Sequence, residues 1–264
     1  MILILVFVGW FVLEQNTIKT ELISVKGAPD AFSGYRIVVI SDLHAKQFGA
    51  GNEKLLEKVA ELRPDMIALI GDLLDETSEF ADIPSLAAGL SAITDTYYVT
   101  GNHEWAMVGH VPELKELLRD NGVTVLTNEH RILERNGAQI LLVGVDDPNG
   151  PADQKSIKEV VANARADAKK GTYVLLLAHR NNLYEQYAES RVDLTLSGHA
   201  HGGLVRLPFT DGLIGPRREW LPEYTAGLYQ LEVGQMVVSR GLGGKPPAFR
   251  LFNRPDLPLV ILQT

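Results

Sequence analysis

Five short polar clusters in this chain, each directly after an apolar run, carry side chains that can bind a metal ion. The clusters are Asp42-Leu43-His44, Gly71-Asp72, Gly101-Asn102-His103-Glu104, Ala178-His179 and Gly198-His199-Ala200-His201. They contain five of the seven histidines of the chain. Because α/β folds place their chemistry at the carboxyl ends of strands, we expect these clusters to meet at such ends.

Seven side chains in these clusters can act as ligands: Asp42, His44, Asp72, Asn102, His179, His199 and His201. The chain has no cysteine, so thiolate ligands and disulfides are excluded and only nitrogen and oxygen ligands remain. Seven ligands exceed what one closed tetrahedral site needs and fit two divalent ions with positions left for water and substrate. We expect manganese first, with iron, zinc, nickel and cobalt as alternatives.

Each of these residues also has an ordinary explanation when it is taken alone. An aspartate or asparagine after a strand is most often a turn or cap residue, and a histidine on an apolar strand is most often a core residue. Asp42 and His44 are two residues apart, as are His199 and His201, which would put each pair on one face of a regular strand. The arrival of all seven at predicted strand ends favours the metal interpretation.

Composition limits the class of protein. The 264 residues include 45% hydrophobic and 22% charged residues, which is ordinary for a soluble globular chain, and we expect one main domain. The net charge of −8 argues against a broad nucleic-acid surface, because such surfaces use Lys and Arg to neutralise phosphates. The sequence indicates no protein partner.

The first 16 residues form a segment of different character from residues 17–264. Residues 1–13 are apolar apart from Gly9, and this run is shorter than the roughly 20 residues that span a bilayer. One interpretation is a membrane anchor, which would make the protein membrane-associated; the other is a helix or strand packed on the domain, in a cytoplasmic protein.

Hydrophobic periodicity predicts strands that alternate with helices first and hairpins later. The predicted strands are 17–25, 36–40, 66–70, 97–99, 131–134, 139–145, 173–177, 193–196, 204–207, 227–232, 236–239 and 257–263, and the predicted helices are 53–62 with Asn52 as N-cap, 83–93, 112–120, 153–169 and 181–188. Asn136-Gly137 is a strong hairpin signal. This order favours an α/β fold of two packed sheets with helices outside.

The motifs in this order resemble those of the calcineurin-like metallophosphoesterase superfamily. Further segments, including Pro64-Asp65, 196–203 and 239–244, resemble a bacterial branch that holds membrane-associated YkuE- and YaeI-like phosphodiesterases and enzymes that cleave UDP-2,3-diacylglucosamine. The resemblance covers roughly residues 18–262. It implies an αββα sandwich of two mixed β-sheets flanked by helices.

The resemblance also implies residue roles. Asp42, His44, Asp72 and His201 would hold one metal, and Asp72, Asn102, His179 and His199 the other, with Asp72 between them. His103 would contact the substrate, and we expect it to donate a proton to a poor leaving group.

The chain departs from the superfamily pattern at two places. Glu104 stands where the superfamily usually has aspartate, and its expected role is to orient His103. The fourth motif reads His179-Arg180-Asn181, where a proline is common two residues after the histidine. Arg180 and Arg240 are candidate phosphate binders, although ordinary surface ion pairs explain each at least as well.

The predicted activity is hydrolysis of a phosphodiester or pyrophosphate bond by a dinuclear metal centre. The apolar N-terminus and the apolar loop over 204–209 favour a lipid-linked substrate, such as a UDP-2,3-diacylglucosamine-like molecule or a phospholipid, at a membrane surface. The alternatives are a phosphodiesterase or phosphomonoesterase that acts on soluble nucleotides, and a non-catalytic metal-binding scaffold.

Overall fold

The computed structural model describes residues 2–75, 80–151, 154–203, 205–207, 211–215, 218–244 and 250–264, with side chains from residue 8 onward. The strands are β1 (Lys19–Val25), β2 (Arg36–Ile40), β3 (Met66–Ile70), β4 (Thr96–Val99), β5 (Thr124–Val125), β6 (Glu129–Arg135), β7 (Ala138–Gly144), β8 (Tyr173–Arg180), β9 (Leu194–Gly198), β10 (Gly227–Gln230), β11 (Gln235–Val238) and β12 (Asp256–Leu262). The helices are α1 (Ile2–Asn16), α2 (Glu53–Glu61), α3 (Ile83–Ile93), α4 (Asn102–Ala106), α5 (Val111–Asp120), α6 (Ile157–Ala166) and α7 (Tyr184–Glu189).

The strands form two six-stranded sheets, ordered β1-β12-β2-β3-β4-β5 and β10-β11-β9-β8-β7-β6. In the first sheet β2 to β5 are parallel and β12 runs antiparallel to β2. In the second, β7, β8, β9 and β11 are parallel, whereas β6 and β10 are antiparallel edge strands. Both sheets are therefore mixed, as predicted.

Three apolar layers hold the sandwich together, because the central strands are apolar on both faces. In β3, Met66, Ala68 and Ile70 point into the layer between the sheets, while Ile67 and Leu69 face the outer helices. α2, α3 and α5 cover the first sheet, and α6 and α7 cover the second. The predicted αββα sandwich is confirmed.

Several element boundaries differ from the prediction because local contacts override periodicity. Asn52 adopts a left-handed conformation and its Oδ1 accepts from Phe48 N at 3.0 Å, so it does not cap α2 through its side chain. The helix predicted over 153–169 begins only after Ser156, which forms a capping box with Glu159. The predicted 181–188 helix is a 3₁₀ turn followed by α7.

Other differences concern elements that are short. The two-residue β5 and the five-residue α4 were not predicted, since neither contains a full hydrophobic period. In the strand predicted over 204–207, only isolated bridges at Val205 and Arg206 are described. Leu204, Pro208 and Phe209 of the predicted apolar loop lie outside the described residues. The hairpin turn at Asn136-Gly137 is confirmed, with φ of 48° and 80° at its two residues.

The apolar N-terminal segment is the helix α1, whose last turn rests on the loop before β12. The Glu14 carboxylate accepts from Arg254 Nε at 2.8 Å, and the Gln15 side chain pairs with the backbone of Arg250. The Trp10 ring lies 5.3 Å from that of Phe252. Over the described residues, no helix combines the length and apolarity that crossing a bilayer requires.

Asp256, the first residue of β12, is a buried carboxylate whose ionisation should cost the folded protein stability. Its side chain is buried, and burial raises its pKa to about 6. An unfolded aspartate ionises near pH 4, so the folded protein loses stability as the pH rises from about 4 to about 6. We expect Asp256→Asn to stabilise the protein at pH 8 by up to about 3 kcal/mol more than at pH 4. Urea unfolding at both values measures this.

The exposed Asp120→Asn is the control, because Asp120 lies on the surface at the end of α5. The change in unfolding free energy that this substitution causes should differ by no more than about 0.5 kcal/mol between the two pH values. An equal pH effect in both variants would contradict the assignment to Asp256.

Candidate metal centre

The candidate ligands lie where strands of both sheets end, on backbone that leaves the strand geometry. Five of the seven adopt a left-handed conformation: Asp42 (φ 49°), His44 (φ 50°), Asp72 (φ 50°), His199 (φ 67°) and His201 (φ 49°). The expectation that the two-residue spacing would place pairs on one strand face is therefore wrong, because these residues follow the strands. Such backbone is costly for residues with a side chain, and it clusters at functional sites.

Two glycines allow the loops after β3 and β4 to touch. A Cβ atom on Gly71 would lie 2.3 Å from Gly101 N, and one on Gly101 would lie 2.2 Å from Asp72 Oδ1. Any larger residue would push the Asp72 carboxylate away from the start of α4, whose His103 N donates to Asp72 Oδ1 at 2.8 Å.

The first donor group joins Asp42, His44 and His201, whose ligand atoms all lie within 4.8 Å of one another. His201 Nε2 lies 3.6 Å from Asp42 Oδ1 and 3.3 Å from His44 Nε2. Because the Asp42 carboxylate also accepts from His199 N at 3.0 Å, it ties the β2 loop of one sheet to the β9 loop of the other.

The second donor group joins Asp72, His179 and His199 within the same distance. His179 lies inside β8, which extends three residues beyond its predicted end. Its Nδ1 donates to Ile70 O at 2.9 Å, so its Nε2, 3.2 Å from Asp72 Oδ2, is the nitrogen that a metal could bind in place of a proton. Asp72 Oδ2 also lies 3.9 Å from His44 Nε2, which places this carboxylate between the groups.

The residues present fit divalent cations. Asn102 Oδ1 is buried and accepts no hydrogen bond within the described structure, at the first position of α4 beside Asp72. His44 Nε2 and His201 Nε2 face each other at 3.3 Å, an arrangement that a shared cation satisfies better than a single proton. The donors are carboxylate, amide and imidazole, which suits manganese, iron, zinc, nickel or cobalt.

The buried charges shift the pKa values of this group in opposite directions. Burial raises the pKa of Asp42. Burial would also raise the pKa of Asp72, but the imidazoles, His179 first, hold it well below its usual range. The same pairing raises the pKa of His179 to about 10 against the effect of its burial. A metal ion would compete with protons for these carboxylates and imidazoles.

Asp75 is a functional candidate that the sequence reasoning missed. Its Oδ1 lies 2.7 Å from His44 Nδ1 and 3.3 Å from His103 Nδ1. It thereby turns Nε2 of both rings toward Asp72, each at 3.9 Å from Asp72 Oδ2. The only signal in the sequence is an aspartate three residues after Asp72, and nothing in its spacing separates it from a turn residue.

Glu104 holds the backbone around Asp72. Its carboxylate accepts from Asp72 N at 2.9 Å, Leu73 N at 2.6 Å and Gly101 N at 2.7 Å. The residue is buried, and burial together with the charge of Asp72 raises its pKa to about 7. The three bonds join the loop after β3 to the start of α4, so Glu104 positions the segment that carries Asp72, Asn102 and His103.

The two candidate arginines differ in their surroundings. Arg180 is buried and makes two bonds to Asp147, Nε–Oδ2 at 2.6 Å and Nη2–Oδ1 at 3.1 Å, while its Nη1 lies 3.3 Å from His199 Nε2. The surface ion pair considered for Arg180 is thus a buried pair beside the donor groups. Arg240 Nη2 pairs with Glu21 Oε2 at 3.2 Å.

Comparison with known proteins agrees with this geometry. A model of the calcineurin-like phosphoesterase family matches residues 35–203. The metallophosphoesterase YkuE of Bacillus subtilis is 28% identical over 258 residues, covering 95% of this chain and 85% of its own length. Phosphodiesterase YaeI of Escherichia coli is 27% identical over 266 residues, covering 96% and 89%.

A solved structure, the NAD nucleotidase of Haemophilus influenzae, superposes with a TM-score of 0.51 at 19% identity over 76% of this chain and 48% of its own, which shows a shared fold. The family match covers most of the sandwich and includes all seven candidate ligands. The chain belongs to the calcineurin-like phosphoesterase family. It is accordingly a hydrolase of phosphate esters.

Glu104→Gln tests the support of the site. An amide has one acceptor oxygen in place of two, so at least one buried backbone N–H would face an NH₂ group. We expect the free energy of unfolding to fall by about 1–3 kcal/mol in chelator, measured by urea titration. We also expect the metal affinity to fall by about tenfold, measured by equilibrium dialysis.

The control is Glu113→Gln, since Glu113 is an exposed residue of α5. If Glu104→Gln is as stable and binds metal as tightly as Glu113→Gln, the three backbone bonds do not support the site.

Proposed function

We propose that this chain is a dinuclear metal-dependent phosphoesterase that hydrolyses a phosphodiester or pyrophosphate bond. The observation that carries the proposal is the convergence of two donor groups on one carboxylate, Asp72, at the edge where both sheets end. The roles inferred from the sequence fit this arrangement. We assign residues 17–264 as the metallophosphoesterase domain.

In this proposal Asp42, His44 and His201 would hold the first ion and Asn102, His179 and His199 the second, with Asp72 available as a ligand to either. Two divalent ions, when bound, would neutralise phosphate oxygens and lower the pKa of an attacking water. The chain itself fixes where the phosphate lies, because its ligands are held by Asp75, the Ile70 carbonyl and Glu104. Manganese is the first candidate for both positions.

His103 is the proposed proton donor to the leaving oxygen. Its Nδ1 faces Asp75 Oδ1 at 3.3 Å, so the carboxylate can hold the ring with Nε2 toward the site. His103 also forms a group of possible ligand atoms with His44 and Asp72. The competing assignment is therefore that His103 is a metal ligand. Arg180, beside His199, is the stronger of the two phosphate-binding candidates, and Arg240 the weaker.

Asn102→Ala and His103→Ala separate these assignments. Loss of an amide ligand should weaken metal binding by about tenfold or more. Loss of the proton donor should leave the metal content unchanged and lower kcat by about 10²–10⁴-fold for diesters with poor leaving groups. The measurements are metal content after dialysis against Mn²⁺ and turnover of alkyl and p-nitrophenyl diesters.

His110→Ala is the matched control, because His110 lies on the surface and pairs with Glu113. It should behave like the unmodified protein in both measurements. Equal loss of metal in Asn102→Ala and His103→Ala would assign His103 as a ligand, and a metal-loaded protein without turnover of any phosphate ester would favour a metal-binding scaffold.

We further propose that the substrate is lipid-linked and that α1 holds the protein at a membrane surface. α1 has no charged residue before Glu14, and Val8, Val12 and Leu13 are about half exposed or more, with relative exposures of 49%, 51% and 61%. A helix that is apolar all round meets lipid or protein on the side that the domain leaves open. A UDP-2,3-diacylglucosamine-like molecule or a phospholipid would suit this position, and soluble nucleotides are the alternative.

Val8→Asp/Val12→Asp tests the lipid proposal. We expect binding to phosphatidylcholine vesicles in sedimentation to fall by about tenfold or more, because two buried charges oppose insertion. Turnover of a micellar diester should fall with it, while turnover of a soluble diester stays unchanged. Val233→Asp, in the turn between β10 and β11, is the control. Equal turnover of micelles by all three proteins would favour soluble substrates.

A further inference from the structure

A cavity of about 300 Å³ lies on the outer side of the second sheet, beside the candidate metal centre. Its floor is the segment after β7, with Asp147, and the end of β8, with Ala178 and Arg180, and its walls are Ile157 of α6 and Tyr187 of α7. The volume is at the lower end of the range for small-molecule sites. It suits one compact group and excludes a pair of acyl chains.

Arg180 forms the boundary between this cavity and the metal centre. Its guanidinium makes two bonds to Asp147 on one side and places Nη1 3.3 Å from His199 Nε2 on the other. His179, whose Nε2 is 3.2 Å from Asp72 Oδ2, also lines the cavity. A phosphate held at the metal centre and a group held in the cavity would therefore both lie next to Arg180.

The charges of the cavity floor are neutralised within the protein. Asp147 is paired with Arg180, and Asp146 accepts from Lys115 Nζ and Thr100 Oγ1, both at 2.8 Å. The other lining residues are mostly apolar, amide or hydroxyl side chains, apart from His179, which pairs with Asp72, and the exposed Lys155 at the rim. Among the described residues of this floor, a second phosphate or a quaternary ammonium group would find no unpaired opposite charge. The lining selects an uncharged group with both apolar and hydrogen-bonding surface.

The position of His103 decides which part of the substrate this group belongs to. In phosphoryl transfer the attacking and leaving oxygens lie on opposite sides of phosphorus. The proposed proton donor, His103, marks the leaving side, and it is on α4 after the first sheet, next to Asp75. The cavity lies on the far side of the second sheet. Its occupant is therefore not the leaving group. The attacking oxygen comes from water, which is too small to fill the cavity, so the occupant is a substituent that stays on the phosphorus.

We propose that this cavity binds the retained substituent of a phosphodiester or pyrophosphate substrate, an uncharged and compact alcohol of about the size of a nucleoside. This rests on the proposed function for the reaction and adds the class of substrate. It is compatible with a lipid on the leaving side, since the two parts lie on different sides of the site.

The test uses three substrates with the same p-nitrophenolate leaving group on Mn²⁺-loaded, full-length protein. They are thymidine 5′-(p-nitrophenyl phosphate), methyl p-nitrophenyl phosphate and p-nitrophenyl phosphorylcholine. We expect kcat/KM for the thymidine ester to exceed that for the other two by about tenfold or more, as filling an apolar pocket does. Equal values, or preference for the choline ester, would overturn the proposal.

Gln186→Trp places a large ring at the wall of the cavity, from an exposed position on α7 that should tolerate it. The ratio of kcat/KM for the thymidine ester to the methyl ester should fall about fivefold or more, mainly through KM. Glu185→Trp, on the same helix but outside the cavity, should leave the ratio unchanged. An equal ratio in both variants would overturn the proposal.

Thymidine itself keeps this test separate from the proposed function, because its binding needs no reaction. Saturation-transfer NMR on the full-length protein without added metal should show saturable binding that Gln186→Trp weakens and Glu185→Trp does not. Binding without hydrolysis would refute the enzyme and keep the cavity. Hydrolysis of methyl p-nitrophenyl phosphate without thymidine binding would refute the cavity and keep the enzyme.

Discussion

The buried carboxylate of Asp72 is the constraint on which the rest of the site depends. It lies between the two sheets, 1% exposed, with three imidazole nitrogens within 3.9 Å. A buried charge is tolerated only when opposite charge or hydrogen bonds compensate it. Calcineurin-like phosphoesterases use divalent metal ions, and in the proposed function such ions would supply this compensation at Asp72.

The surrounding backbone is arranged to keep Asp72 in place. The left-handed conformations of the loop residues would relax if the loops were free. Gly71 and Gly101 let two loops touch, and the Glu104 carboxylate then fastens them with three backbone hydrogen bonds. The longer side chain of glutamate, where the superfamily usually has aspartate, is thus used to reach the backbone of the neighbouring loop.

A second level of paired charges surrounds the donor groups. Asp75 holds two histidines, Asp147 holds Arg180, and Lys115 neutralises Asp146. Apart from the half-buried His103, these side chains are buried, so removing one partner would leave an uncompensated charge next to the site. They also decide the electrostatic character of the neighbouring space, which is why the cavity beside Arg180 has a neutral floor although four charged residues line it.

Much of the fold and of the donor set was predictable from the sequence, because both follow from local patterns. Apolar runs such as 66–70 and 173–177 predict strands buried on both faces, and the motifs at their ends place Asp72 and His179. The mixed sheets and the outer helices follow from the order of these elements and from the family resemblance.

Other features were decided only by the tertiary structure. Asp75 has no distinguishing neighbours in sequence, and its role exists because β2 and α4 bring His44 and His103 to the same oxygen. From the sequence alone Arg180 is expected to be a surface cation. In the structure it is buried and pairs with Asp147, 33 residues away. Periodicity reports which residues an element buries, whereas the pairing of charges across elements depends on distances that only the folded chain sets.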